Sequence, residues 1–267
     1  YNAEGNISLT STANINASAN ATGFQSSSSG PPIASSVFIN AGGDVNLNDN
    51  SATGMFGVNA GGAVTMNGGT IGEDLLVLAG TTATITGVTA GDDVIITAPG
   101  GIIATGVVTT GAGRDDRTLT FAPFSPTAPA TFQIVGSAPD QSNIILTAAA
   151  GDITANDVRA FGNLTANASG LMSASGPLRA GGNIALTAAN ADLAALATPA
   201  GDRIDTLNAG GNVTIAVTGA VTGGVVRAGG NVGITAGSTA NLIEVAATTG
   251  NISVSAVDGM QVDEMRS

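Results

Sequence analysis

Aspartates recur in close pairs along this chain, and paired carboxylates are a minimal catalytic apparatus. Asp92 and Asp93 are neighbours, as are Asp115 and Asp116; Asp152 stands near Asp157, and Asp202 near Asp205. Two acids at a suitable separation can hydrolyse a glycoside, one protonating the leaving oxygen while the other acts as base or nucleophile. The rest of the composition argues against that use. Sugar-cleaving sites usually offer aromatic platforms, whereas this chain has no Trp and one Tyr, Tyr1. Adjacent residues on a strand also point to opposite faces. The aspartates are therefore expected at chain corners, where their charge keeps the molecule soluble.

Other chemistries fail for want of residue types. With neither His nor Cys, no nucleophile–histidine pair can be built, and disulfides and thiolate metal sites are excluded. The lack of Lys removes a Ser–Lys arrangement. Calcium-binding nonapeptide repeats read Gly-Gly-x-Gly-x-Asp. The phrase "AGGDVNLN" from Ala41 has the paired glycines without that spacing, and most of its copies carry Asn. A hard cation wants about six or more oxygens, so corner aspartates would hold one weakly at best. "GTIGEDLL" and "GGTIGE" lack the Gly-Lys-Ser/Thr ending of a phosphate loop. Thr82, Thr84 and Thr86 resemble one row of an ice-binding face, but no continuation in register is evident. Seven Asn-x-Ser/Thr sequons, among them Asn20-Ala21-Thr22 and Asn163-Leu164-Thr165, are what a chain rich in these residues yields by chance. No catalytic, cofactor-binding or metal-ligating residue is assigned, no cofactor is implied, and the chain is read as a non-enzyme.

Charge narrows the partners. Charged residues make up 10% and the net charge is −12, against ~25% charged in an ordinary soluble domain. The only cations are Arg114, Arg117, Arg159, Arg179, Arg203, Arg227 and Arg266. Without a basic stripe to neutralise phosphates, nucleic-acid binding is excluded, and an anionic membrane surface is disfavoured. Gly, Asn and Thr interrupt every apolar stretch well before the ~18 residues of a membrane-spanning helix. The start, Tyr1-Asn2-Ala3-Glu4, has no basic region followed by an apolar run and reads as excised or processed. Arg266-Ser267 reads equally as native sequence or as a cloning remnant.

The elements that must position these residues are announced by repetition. "AGGNIALTA" from Ala180, "AGGNVTIAV" from Ala209 and "AGGNVGITA" from Ala228 are variants of one phrase. It recurs at Glu4, Ala41, Ala60, Ile71, Ala90, Ala150, Phe161 and Thr249. Its Asn/Asp-like position falls at Asn6, Asp44, Ala63, Asp74, Asp93, Asp152, Asn163, Asn183, Asn212, Asn231 and Asn251. Many intervals are 19 or 20 or sums to them, so a unit of about ten residues is used about twice per coil. Within a unit, Val213, Ile215 and Val217 alternate with Asn212, Thr214 and Ala216, the mark of a half-buried strand. Gly210-Gly211 is expected to supply positive φ for a corner, and Asn212 to tolerate the left-handed region beside it.

A single coil cannot bury its apolar face, but stacked coils can, each Val, Ile or Leu lying on its equivalent. The sequence thus predicts an all-β, right-handed parallel β-helix, a single domain over 1–267. At ~20 residues per coil and ~4.8 Å per step it would have roughly 12 or 13 coils and about 60 Å of rod. Helices are poorly served by glycine about every ten residues. An antiparallel sandwich would show turns at similar spacing without needing the same phrase at each. Three stretches break step. Residues 17–38, with Ser26 to Ser29 and Gly30-Pro31-Pro32, read as a loop. Residues 114–143 hold Pro123, Pro126 and Pro129 with Phe121, Phe124 and Phe132. Alternation at 118–121 and 131–134 predicts a hairpin or modified coil there. Residues 190–208 stretch an interval to 29, with a short helical turn expected over 192–197.

The phrases "AGGDVNLN", "AGGNIALTA" and "AGGNVGITA", at a spacing near 19, resemble the shaft of filamentous-haemagglutinin-type exoproteins, the large secreted partners of bacterial two-partner secretion. The resemblance covers about two-thirds of the chain. It implies a long right-handed β-helix, export through a dedicated outer-membrane transporter, and a role in adhesion or in delivery of a terminal toxin. The Asn-Pro motif of that family's secretion domain has no counterpart here, since the chain contains no Asn-Pro. No functional residue is carried over. The expectation is a secreted or cell-surface stalk segment. A ligand-binding role for the 114–143 excursion, toward a host or neighbouring cell, is the alternative, and a carbohydrate-active β-helix is a further one. A monomer is expected, because the charges of "QVDEMRS" oppose end-to-end stacking.

Overall fold

Alternation leaves each strand with one apolar side, and the chain buries it by coiling upon itself. The computed structural model describes residues 2–3, 5–21, 35–112, 118–121, 132–135, 142–194, 196–197 and 203–267. One wholly parallel sheet of eleven strands runs through it and forms face 1. Its strands are Ile7–Ser11, Val37–Ala41, Phe56–Ala60, Leu75–Ala79, Val94–Thr97, Ile144–Ala148, Leu164–Ala168, Ile184–Ala188, Val213–Val217, Val232–Ala236 and Ile252–Ala256. Each opens a coil, here numbered 1 to 11. Faces 2 and 3 follow in every coil as two short strands, such as Leu171–Ala174 and Leu178–Ala180. In some coils they merge into one longer strand, such as Thr82–Ala90 or Thr239–Ala247. Among the described residues, no helix is long and apolar enough to cross a membrane.

Like lies over like. Val213 pairs with Val232 and Val232 with Ile252; Ile215 pairs with Ile234 and Ile234 with Val254. Inward and outward residues alternate in burial along Val213–Val217. A single apolar cluster extends from Ile7 to Ala247. Each large aliphatic side chain removed from water contributes roughly 1.5–3 kcal/mol, which offsets the entropy of ordering the coil. In coil 11 the inward row is thinly covered: Met260 is 55% and Met265 49% exposed.

The stack is shorter than the sequence predicts. Eleven face-1 strands make ten turns, or about 48 Å at ~4.8 Å per step, because three segments leave the coil. Successive face-1 strands start 19 or 20 residues apart, except for 30 from Ile7 to Val37, 50 from Val94 to Ile144 and 29 from Ile184 to Val213. The first break is narrower than 17–38, since Asn20–Ala21 pairs with Asn2–Ala3 and with Ser51 and Ala52 on face 3; residues 22–34 lie outside the described residues. In the second break, Thr118–Phe121 runs antiparallel to Phe132–Val135, the expected hairpin, with Leu119 opposite Ile134. The rest of 113–141 lies outside the described residues. In the third break, among the described residues of 192–197, there is no helical turn. Asp192 and Leu193 stay in the face-2 ladder upon Ser173 and Ala174, and Leu196–Ala197 pairs antiparallel with Arg203–Ile204. The first two breaks open between face 3 and face 1, the third between face 2 and face 3.

Candidate functional site

The repeated phrase marks two different corners. Before face 1 stand Asp74, Asp93, Asn163, Asn183, Asn212, Asn231 and Asn251; before face 2 stand Asp44, Ala63 and Asp152. The sequence reading missed Asn143 before face 1, and Asn14 and Asn190 before face 2. At the face-1 corner each side-chain oxygen accepts the backbone N–H of the equivalent residue one coil on. Asn143 Oδ1 accepts from Asn163 N at 2.9 Å, and Asn163 Oδ1 from Asn183 N at 2.8 Å. Asn183 then serves Asn212 at 2.8 Å, Asn212 serves Asn231 at 2.7 Å, and Asn231 serves Asn251 at 2.8 Å. Some side-chain amides bond in the same direction, as from Asn231 Nδ2 to Asn212 Oδ1 at 3.2 Å. The second corner repeats the device: Asn14 caps Asp44 N at 2.8 Å and Asp152 caps Leu171 N at 2.7 Å.

This ladder explains the glycines, and not as expected. Neither Gly210 nor Gly211 has a positive φ, nor does Asn212. A Cβ on Gly211 would lie 2.5 Å from Asn183 Oδ1, and one on Gly210 would strike the Gly181 carbonyl oxygen. The pair is there for close approach of one coil to the next. Left-handed backbone recurs in register at the third corner, between faces 2 and 3. There Gly68, Gly87 and Gly106 (φ 70°, 65° and 62°) align with Asp49 and Asp157 (both 49°).

Of the candidate carboxylate pairs, Asp92-Asp93 lies wholly within the described residues and is joined by further acids. Glu73 and Asp74 stand one coil below, and all four are buried at the face-1 corner of coils 4 and 5. The signal lay in "IGEDLLV" and "AGDDVII", 19 residues apart. Asp74 Oδ1 accepts from Asp93 N at 3.2 Å, and Asp93 Oδ1 from Asn143 N at 2.7 Å, so both serve the ladder. Asp92 Oδ1 accepts the Ser142 hydroxyl at 2.9 Å. Burial lifts the Asp74 carboxyl from 3.8 to about 8; the bond from Asp93 N opposes the rise, and the charges of Asp92, Asp93 and Glu73 add to it. Asp152 and Asp157 stand at opposite ends of the strand Ile153–Asn156 and form no pair. Asp157 bonds Arg159 at 2.8 Å. Asp205 lies 2.7 Å from Arg227 Nε, an ion contact out of line for a hydrogen bond. Asp115, Asp116 and Asp202 lie outside the described residues. Among the described residues, no group of three or more His, Cys, Asp or Glu is placed to hold a metal ion.

The outer faces differ in chemistry. On face 2 the threonine row does continue in register: Thr65, Thr84, Ile103, Thr154 and Ser173 form one file, and Asn67, Thr86, Thr105 and Asn156 another. Ile103, 48% exposed, interrupts the first. A shallow depression of about 550 Å³ lies there between Thr82, Thr84, Gly101, Ile103, Asp152 and Thr154. Face 3 carries a column of Arg159, Arg179, Asn208, Arg227, Ala246 and Arg266. Its lower end is tied by ion pairs, with Arg227 Nη2 2.9 Å from Glu244 Oε1 and Arg203 Nη1 3.7 Å from Glu264. Every donor and acceptor described at the corners closes the stack upon itself. The chain matches no protein-family model, no curated protein and no solved structure.

Proposed function

We propose that this chain is a shaft segment of a secreted or surface-displayed bacterial adhesin or exoprotein, a stiff rod that holds binding or effector regions away from the cell. The observation that carries the reading is the unbroken stack. One parallel sheet joins all eleven coils, and one apolar cluster runs from Ile7 to Ala247. Ladder hydrogen bonds run along the rod axis, so bending the rod must stretch many of them together. The side-chain ladder adds a further bond at most steps, each worth about 1 kcal/mol. Contacts at intervals of 19 or 20 residues suit a chain that emerges from a membrane pore and folds coil by coil upon the part already outside. The resemblance of the repeats to filamentous-haemagglutinin-type shafts supplies the partner, a dedicated outer-membrane transporter. The ligand, on a host or neighbouring cell, is met by other regions.

The test is protease shaving of intact cells of the source bacterium. Peptides of this chain are expected in the shaved fraction, and their loss is expected when the transporter is deleted. Peptides released only after lysis would overturn the proposal.

A further inference from the structure

The threonine array of face 2 has no part in closing the stack. Two outward files stand in register over coils 2 to 7. One runs Asn46, Thr65, Thr84, Ile103, Thr154 and Ser173; the other runs Asn48, Asn67, Thr86, Thr105 and Asn156. No member is charged, and every one reaches solvent. The first file meets a charge only at Asp192 of coil 8, which lies on Ser173. The 50-residue interval from Val94 to Ile144 leaves both files intact, because Ile102 to Thr105 still pair with Ile153 to Asn156.

The side chains are also held ready. Neighbours in a file are ~4.8 Å apart, and the files, two residues apart along each strand, are separated by ~6.7 Å. Threonine branches at Cβ and is stiff at χ1. So does Ile103, 48% exposed, which keeps a branched methyl in the row without the hydroxyl. Elsewhere on the rod hydroxyls turn back to the backbone, as from Thr206 to the Ala194 carbonyl and from Thr249 to the Gly229 carbonyl, both at 2.7 Å. Among the described residues, the hydroxyls of Thr65, Thr84, Thr86, Thr105 and Thr154 have no such bond. Asn67 Nδ2 bonds Asn48 Oδ1 at 3.2 Å and steadies that pair of amides along the rod. The shallow depression lies to one side of the files, where Gly101 has no side chain beside Thr82 and Asp152.

Such a face is a rigid, uncharged lattice of hydroxyls, amides and methyls. A small solute gains little from it, since each contact is weak. A solid whose surface repeats at similar spacings meets all of the contacts at once, with little ordering left for the protein to undergo. Ice has that surface: its oxygens repeat slightly more closely than the coils along one axis and slightly more widely than the files along another. A crystalline polysaccharide is periodic too, but sugar rings favour aromatic platforms and the array contains no aromatic residue. We propose that face 2, from Asn46 to Ser173, is an ice-binding surface. Its methyls seat between surface waters, and its hydroxyls stand in for water as hydrogen-bond partners. The proposal does not rest on the shaft reading, since the array faces solvent wherever the rod resides.

The test is uptake of the full chain into slowly growing ice. The chain should enter the ice, where a non-binding protein of similar size stays in the liquid, and should arrest seed crystals just below the melting point. Thr84→Lys combined with Thr86→Lys should abolish both effects. Thr235→Lys, an exposed outward site on face 1, should abolish neither. All three sites face outward, so thermal melts should match the parent's. Ile103→Thr restores a hydroxyl to the first file and should strengthen the arrest. Exclusion of the parent chain from ice overturns the proposal whatever the variants do, even if the chain binds an insoluble polysaccharide instead. So does uptake that survives the face-2 lysines or is lost equally with Thr235→Lys. Where the lysine pair fails to fold, Ile103→Thr decides, and no gain in arrest overturns the proposal.

Discussion

At the residue scale, the ladder before face 1 makes Asn and Gly interdependent across coils. Asn212→Ala should lower stability by about 1 kcal/mol, since Asn231 N loses its acceptor at a solvated corner; denaturant midpoints check it. Gly211→Ala alone should cost more, because its Cβ would lie 2.5 Å from Asn183 Oδ1. Combining it with Asn183→Ala should recover part of the loss, which a double-mutant cycle reads directly. Additive losses would sink the close-approach account. The sequence made the column visible and hid its cause: a glycine required by a neighbour's oxygen looks the same as one required by its own φ. Asp74 is a rung that titrates. Its carboxyl is raised from 3.8 to about 8 by burial, against the bond from Asp93 N and with the charges of Asp92, Asp93 and Glu73. In that window the folded state binds the proton that the unfolded chain releases, so stability is full below about 3.8 and falls as pH rises through about 8. Asp74→Asn keeps the acceptor for Asp93 N without a charge. Melting temperatures from pH 4 to 8 should then slope down less steeply in the variant, with the largest gain at the alkaline end.

At the element scale, period-two alternation placed the face-1 strands because one residue's slip would turn a whole apolar row outward. Ile234 is 1% exposed between Ile215 and Val254. Ile234→Asp should therefore cost more than ~3 kcal/mol, the scale of an uncompensated buried charge. Thr235→Asp, one residue on and outward, should stay within about 0.5 kcal/mol. Equal losses in thermal melts would contradict the assigned alternation. The third corner escaped sequence reading because its members share a backbone angle and not a phrase: Asp49, Gly68, Gly87, Gly106 and Asp157 agree in φ alone. The 190–208 segment misled for a related reason. "NADLAALA" has helical composition, but Ala191 and Leu193 are the inward pair of a face-2 strand and are buried at 2% and 0%. The position of the carboxylates was legible as corners. That four of them would be buried together was not, because "IGED" and "AGDD" read like the solvated corners of the other coils.

At the scale of the whole molecule, the strand ladders of each coil pair only with those of its neighbours, so stability is approximately a sum of coil and interface terms and the weakest interface sets where the rod parts. That interface lies between coils 5 and 6. Face 1 there pairs Val94 to Thr97 with Ile144 to Thr147, face 2 pairs Ile102 to Thr105 with Ile153 to Asn156, and face 3 offers only Val108 on Arg159. Between coils 10 and 11, by contrast, Thr239–Ala247 and Gly259–Arg266 pair almost along their whole length. The junction also closes over an interval of 50 residues from Val94 to Ile144, a cost that grows only slowly with length but is paid nowhere else on this scale. Ile144, fully buried in coil 6, is the residue through which to open it. Ile144→Asp should divide unfolding into two steps. Amides of coils 7 to 11, from Leu164 onward, should keep hydrogen-exchange protection under conditions where Leu146 and Ile153 have lost it. Coils 2 to 4 should exchange at a rate of their own. If protection vanished together from Val37 to Ala256, the rod would be one cooperative unit, and a shaft built from independently seated coils would not describe it.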